Sequence, residues 1–275
     1  MRTTPPGETG VDALVPLNAE EIGPKLERPD LSSWFNPFLS RFAQETVGSG
    51  GRALVRESGG AVEALVLTDP TERTASVFAR SGAWAETMTA ATVDAAVYAE
   101  AELPRPREVF EIRSAAVAEI PRHRFRYPVQ VVQGRTFDRV GPLLREVYGR
   151  YSERWPAAAQ EAGEACLGVE ADGRLVGAAW VLVVGRHARL HSLTVRPEYR
   201  RLGIGTDLLF ARLLFARQAG AEQAISEISE RNIGSRAIAE RAGMLPKGRL
   251  FLYPRPGLPG GATAEPFAGA VPTTG

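Results

Sequence analysis

One stretch constrains this chain more than any other: Leu193-Thr194-Val195-Arg196-Pro197-Glu198-Tyr199-Arg200-Arg201-Leu202-Gly203-Ile204-Gly205-Thr206. It reads strand, proline turn, helix. Glycines at 203 and 205 remove side chains where backbone N–H groups must approach a ligand closely. A helix beginning near Thr206 aims its unpaired N–H groups and positive dipole end back at the turn. Arg200 and Arg201 add charge beside it. The physics of the stretch asks for a bound pyrophosphate. Three readings compete. A dinucleotide fold wants a third glycine, where Leu208 stands. A nucleoside-triphosphate loop ends in Gly-Lys-Ser/Thr, which is absent. The plainest alternative is a glycine-bearing loop that only starts a helix, and it stays open at this point.

The residues around the turn alternate between strand and helix signals. Strands are expected at 129–132, 166–170, 175–183, 190–195, 224–228 and 250–253. Ala171-Asp172-Gly173-Arg174 is a hairpin turn signal between two of them. Helices are expected at 137–148, 206–219 and 235–242. In the middle one Leu209, Leu213 and Ala216 share a face, and Gly220 ends it. This is an α+β pattern with a mixed, largely antiparallel sheet.

An upstream block repeats that order. Strands at 53–56 and 62–67 flank a Ser58-Gly59-Gly60 turn, a strand follows at 75–79, a helix at 88–102 and a strand at 109–113. The same order at the same spacing indicates an internal duplication. The expected division is a loose lead-in over 1–28, broken by Pro5, Pro6, Pro16 and Pro24, then a first block over 29–128. A second block follows over 129–254, and a polar, Gly- and Pro-rich tail over 255–275 that is expected to be disordered.

The central stretch resembles the acetyl-CoA signature of the GNAT superfamily: strand, proline turn, Arg/Gln-x-x-Gly-x-Gly/Ala, helix. A second family motif stands at the matching distance. Strand 225–228 leads to Asn232, and Ser235-Arg236-Ala237-Ile238-Ala239-Glu240-Arg241-Ala242-Gly243-Met244 resembles the family's following helix. The resemblance implies two tandem GNAT-like domains, the second catalytic and the first a degenerate copy. It implies transfer of an acetyl or other short acyl group from acyl-CoA to a primary amine of a small molecule. It also implies a cofactor set of Leu193, Thr194 and Val195 on the strand, Arg200, Arg201, Leu202, Gly203, Ile204, Gly205 and Thr206 on the turn, and Asn232. The backbone amides of Leu193 or Val195 would hold the developing oxyanion. The first block, with Arg80-Ser81-Gly82-Ala83-Trp84-Ala85 after its strand, lacks the Arg-x-x-Gly-x-Gly pattern. Its expected task is to cover the acceptor cleft or pack against the second block.

Amine acylation needs a proton acceptor for the amine and a proton for the leaving thiolate. Glu227, five residues before Asn232, stands where related enzymes carry a general-base glutamate; Glu230 is a second choice. An exposed strand glutamate is the plainer reading of Glu227. His191, on the strand feeding the turn, titrates in a useful range. His123 and His187 are expected to be solvated. The family's usual acid is a tyrosine, and Ala239 stands at that place. Tyr253, Tyr199 or a water molecule is the expected substitute.

Composition narrows the partners. A formal net charge of +1 gives no global attraction to nucleic acid. The basic stretch Arg122-His123-Arg124-Phe125-Arg126 keeps a charged-tRNA donor open as an alternative, although an exposed alternating strand explains it as well. A non-catalytic acyl-CoA binder is a further alternative. One cysteine, Cys166, excludes an intrachain disulfide, and with three histidines it cannot form an ordinary structural zinc site, so no metal is expected. No run approaches the roughly 20 apolar residues of a membrane span, and the N-terminus lacks a signal-peptide core, so a cytoplasmic location is the expectation.

Overall fold

The computed structural model describes residues 14–27, 31, 33–69, 74–80, 96–100, 106–148 and 155–253. Residues 1–13 of the lead-in, the turn at 81–85, most of the expected helix at 88–102 and the tail at 255–275 lie outside the described residues.

The elements run β1 (Val15–Leu17), α1 (Ala19–Leu26), α2 (Leu39–Gly48), β2 (Arg52–Ser58), β3 (Ala61–Asp69), β4 (Thr74–Ala79), β5 (Ala96–Ala99) and β6 (Glu108–Ala116). There follow β7 (Gln130–Val131), α3 (Val140–Tyr148), α4 (Trp155–Glu161), β8 (Ala165–Ala171), β9 (Arg174–Val184), β10 (His187–Val195), α5 (Ile204–Gln218), β11 (Gln223–Ser229), α6 (Ile233–Arg241) and β12 (Leu245–Tyr253).

The strands form one 12-stranded sheet in the order β1-β2-β3-β4-β5-β12-β6-β11-β10-β9-β8-β7. Read inward from either edge, the pairings are the same. Three antiparallel steps come first, then one parallel step (β4 with β5, β10 with β11), then one antiparallel step onto the central β12–β6 pair. The duplication is therefore present in the topology, with an approximate twofold relation through the centre. Each half borrows its innermost strand. β12, from the end of the chain, pairs with β5, and β6, from the first block, pairs with β11. The blocks are consecutive in sequence but interlocked in the sheet.

Two expectations change. The lead-in is not loose over its described part. Asn18 caps α1 by accepting from the N–H groups of Glu20 and Glu21 while Glu21 accepts from the Asn18 N–H. Such a box is worth about 1 kcal/mol. With Ile22 and Leu26 buried one turn apart, it overrides the breaking effect of Pro24. Residues 96–99, expected within a helix at 88–102, form instead a strand, β5, whose four residues are all buried. An apolar run buried on both faces carries no alternation, so periodicity cannot assign it. β5, not 109–113, is the counterpart of β11.

Helices cover both faces. α5 and α6 pack on one face through Leu209, Leu213, Ala216 and Ala239. α3 covers the opposite face of the second half through Val140, Leu143 and Leu144 against Trp180 and Cys166. α2, from the first half, reaches across the centre. Its Phe42, with Phe38 just before the helix, joins a cluster that includes Leu182 and Ile225 of the second half. The first half thereby covers the far face of β10 and β11. Cys166 is buried and free.

Candidate active site

β10 carries the feature on which the site depends. Its antiparallel register with β9 slips between His191 and Thr194, and Ser192 sits in the left-handed region at φ 52°. A non-glycine residue there costs roughly 1–2 kcal/mol. Just before the slip, β10 leaves β11: their parallel pairing stops at Arg189↔Ile225. Breaking a ladder exposes backbone carbonyls. The His191 carbonyl, and with it that of Trp180, accepts from Arg212 Nη1 of α5 at 3.0 and 3.3 Å. Arg212 is 2% exposed, so its charge is committed to this splice.

The split opens onto a cleft of about 830 Å³ between β10, α5 and α6. Leu193, Thr194 and Val195 form its strand side. Arg200, Arg201, Gly203, Gly205 and Thr206 form its turn. The turn is shaped by two left-handed residues, Arg201 at φ 61° and Gly203 at φ 100°. α5 starts after Gly203 with no side-chain cap, so its first N–H groups face the cleft. Arg200 Nε donates to the Val195 carbonyl at 3.1 Å and closes the turn onto the strand.

Of the expected cofactor residues, nine line this cleft and two do not. Leu202 is 45% exposed, and Ile204 is buried against Val176 and Leu208. Asn232 lines the cleft and also caps α6, its Oδ1 accepting from the Ser235 N–H at 2.9 Å.

The expected catalytic residues fall elsewhere. Glu227 is not an exposed strand residue. Its side chain is 2% exposed and accepts from Arg189 Nε at 2.8 Å, on the far face of the split. There it lines a small pocket of about 20 Å³ with Arg189, Phe35, Phe42, Phe78 and Tyr98. Such a volume admits about one water. His191 shares that face: its Nε2 lies 2.8 Å from Glu164 Oε2, and both side chains are buried. Tyr253 packs with Val66, Ala75, Val97 and Phe251 in the first half, away from the cleft. Tyr199 lines the cleft but donates its hydroxyl to Asp172 at 2.9 Å. Ala239, at the place of the missing tyrosine, is fully buried in the α5–α6 core.

Residues not foreseen complete the walls. Tyr148, at the end of α3, brings its hydroxyl to 2.6 Å from Thr194 Oγ1. Burial pushes its phenol up to about 12, so it is protonated at neutral pH. Sequence marked 137–148 as a helix, but only the register of α3 against β10 places its last residue in the split. Arg122, His123 and Arg126 form another wall. The stretch 121–127 is no exposed strand: it lies irregularly over the start of α5. His123 is not solvated; its Nε2 is 2.6 Å from Asp207 Oδ1 and its ring stacks on Phe210.

Comparison with known proteins agrees with this geometry. Residues 133–244 match the acetyltransferase (GNAT) family. No curated protein matches the chain in sequence. A tandem GNAT protein from the clavulanic acid biosynthesis pathway is similar in structure, with a TM-score of 0.61 at 16% identity over 87% of this chain and 97% of that one. A GNAT-family acetyltransferase from Colwellia psychrerythraea gives 0.58 at 11% identity over 88% and 100%. Saccharomyces cerevisiae N-myristoyltransferase with bound myristoyl-CoA gives 0.56 at 9% over 92% and 80%. The bulged strand, the glycine turn and the uncapped helix all lie within the matched stretch: residues 133–244 are a GNAT acetyltransferase domain, and the chain as a whole has the fold of a tandem GNAT protein.

Proposed function

We propose that this protein is an acyl-CoA-dependent N-acyltransferase that moves an acetyl or other short acyl group to a primary amine of a small molecule, with its one active site in the second half. The carrying observation is the split beside Ser192, which runs into a cleft whose turn offers free helix N–H groups and arginines. The residues fit CoA. The bare Gly205 leaves the floor of the turn open: a Cβ there would only touch Ile238 and Leu193 at 3.5 and 3.6 Å. The arginines match a polyphosphate in charge and in bidentate geometry.

CoA, when bound, supplies the activated thioester. The chain does the rest. Backbone N–H groups of the released strand, at Leu193 or Val195, polarise the carbonyl. The amine arrives from the far face, which the first half covers with α2. Glu227, on that face beside the split, takes the amine proton once its pairing with Arg189 is relaxed. Tyr148, neutral and next to Thr194, gives a proton or hydrogen bond to the departing sulfur, in place of Tyr253 or Tyr199.

Arg122, His123 and Arg126 of the basic stretch that kept a charged-tRNA donor open line the cleft beside the turn, where they serve the acyl-CoA reading as well. Among the described residues no helix is long and apolar enough to cross a membrane. Our reading keeps the protein in the cytoplasm, where acyl-CoA is made.

The test is thiol release from acetyl-CoA with a panel of small primary amines, with acetylated products identified by mass. Amine-dependent release, lost in Gly205→Glu, is expected. Tight CoA binding without any release would instead make the protein a non-catalytic binder.

A further inference from the structure

The segment 121–127 connects the two halves, and its packing is not that of a linker. Asp207, 1% exposed, accepts from the backbone N–H groups of Arg126 at 3.0 Å and Tyr127 at 2.9 Å. It also meets His123 Nε2 at 2.6 Å. The His123 ring stacks on Phe210 with centroids 4.2 Å apart and planes 11° apart. These contacts strap the connector onto the first turn of α5. The strap then reaches the glycine turn: a Cβ on Gly203 would come within 3.1 Å of Arg126 Cδ.

Charge in the cleft is one-sided. Among the described residues five arginines line it, at 122, 126, 200, 201 and 241, against one carboxylate, Asp207. That carboxylate is consumed by the strap. Arg122 and Arg126 are exposed toward the cleft and engage no carboxylate among the described residues. Unneutralised guanidinium groups converging on one opening repel each other unless an anion of several charges sits between them.

We infer that the strap 121–127 is a phosphate clamp, with Arg122 and Arg126 closing over the nucleotide end of the acyl donor held at the turn 200–206. This rests on the donor reading above and deepens it. It extends the hold on the donor beyond the turn to the nucleotide phosphates, which 4′-phosphopantetheine lacks. It also gives the junction between the halves a binding task.

The test is calorimetric titration of CoA, and of 4′-phosphopantetheine, into wild type and an Arg122→Gln/Arg126→Gln double variant at low and high salt. Both side chains are exposed, so an unchanged melting temperature is expected to confirm the variant's fold. The variant is expected to bind CoA roughly tenfold or more weakly, the scale of one or two charge-assisted contacts at a wet site. That deficit shrinks as salt screens the charges, and 4′-phosphopantetheine binds both proteins alike and weakly. Equal CoA binding by both proteins, or a deficit indifferent to salt, would overturn the clamp and leave the donor reading standing. Failure of wild type to bind CoA would remove the donor reading itself, and the clamp with it.

Discussion

The two halves of the sheet follow the same plan, three antiparallel steps, a parallel step and an exchanged strand, but they treat the parallel step differently. In the first half β4 keeps an unbroken register with β3 from Thr74 to Ala79, and every residue of β5 pairs with β4. In the second half β10 slips against β9 at 191–194, and only three residues of β11 pair with β10. One closed ladder and one opened ladder have thus been built on one frame. The frame explains why the elements recur. The slip, the left-handed Ser192 and the Arg212 side chain that satisfies the freed carbonyls explain how the second half opens into its cleft. Strain and a buried cation are stability costs that a merely structural copy does not need, and they gather where function is placed.

The most severe way to break this comparison is to separate the halves. A chain of residues 129–253 keeps β12 but loses both strands it pairs with, and exposes the β11 edge. It is expected not to fold cooperatively, with near-ultraviolet circular dichroism lost and ready aggregation through the bare edge. A soluble, cooperatively melting fragment would show the exchange to be dispensable.

A smaller perturbation sharpens the chemical difference. Tyr148→Phe removes one hydroxyl from the split and leaves the cleft's shape. Turnover is expected to fall roughly 10- to 100-fold, with the KM for acetyl-CoA little changed. The loss is expected to narrow for donors whose thiol is a better leaving group. An equal fall with every donor would place Tyr148 outside proton transfer.

The smallest effect lies in the layer by which the first half covers the second. Glu45 on α2 is pushed up to about 8 by burial, with the charge of Glu164 adding to the shift. Burial raises Glu100 to about 7 in the same way. A carboxyl whose folded pKa is raised contributes its full stability below the unfolded value near 4.5 and loses it as pH climbs through the folded one. Stability is therefore expected to decline between about pH 5 and pH 8. Glu45→Gln is expected to flatten that decline, by on the order of 1–2 kcal/mol at pH 8 and little at pH 5. Melting temperatures across this window decide it; parallel profiles for the two proteins would contradict the buried-carboxyl account.

What the sequence disclosed and what it hid follow from the range of the interactions involved. The glycine turn, α5, α6 and the hairpin at 172–173 are local, and their residues announce them: Asp172 and Gly173 both take the left-handed conformation their types favour. β5 was hidden because Ala96-Val97-Tyr98-Ala99 is apolar throughout. α1 was hidden because its proline and glycine are easier to see than the Asn18–Glu21 box. The strap could be read only once Asp207 was known to point at residues some 80 positions earlier. Tyr148, Glu227 and His191 depended on which face of a slipped strand each one meets, and a slip reverses that by one residue.

The measurement that bears most directly on the central claim is the stoichiometry of CoA binding by calorimetry. Gly205 is the place to perturb it, because its φ is ordinary and a side chain fits there sterically, whereas a carboxylate would meet the phosphates. One CoA per chain is expected for wild type. Gly205→Glu, still folded, is expected to bind at least about 100-fold more weakly, roughly 3 kcal/mol. Two CoA per chain, or one that survives Gly205→Glu unchanged, would contradict the assignment of a single donor site to the opened half.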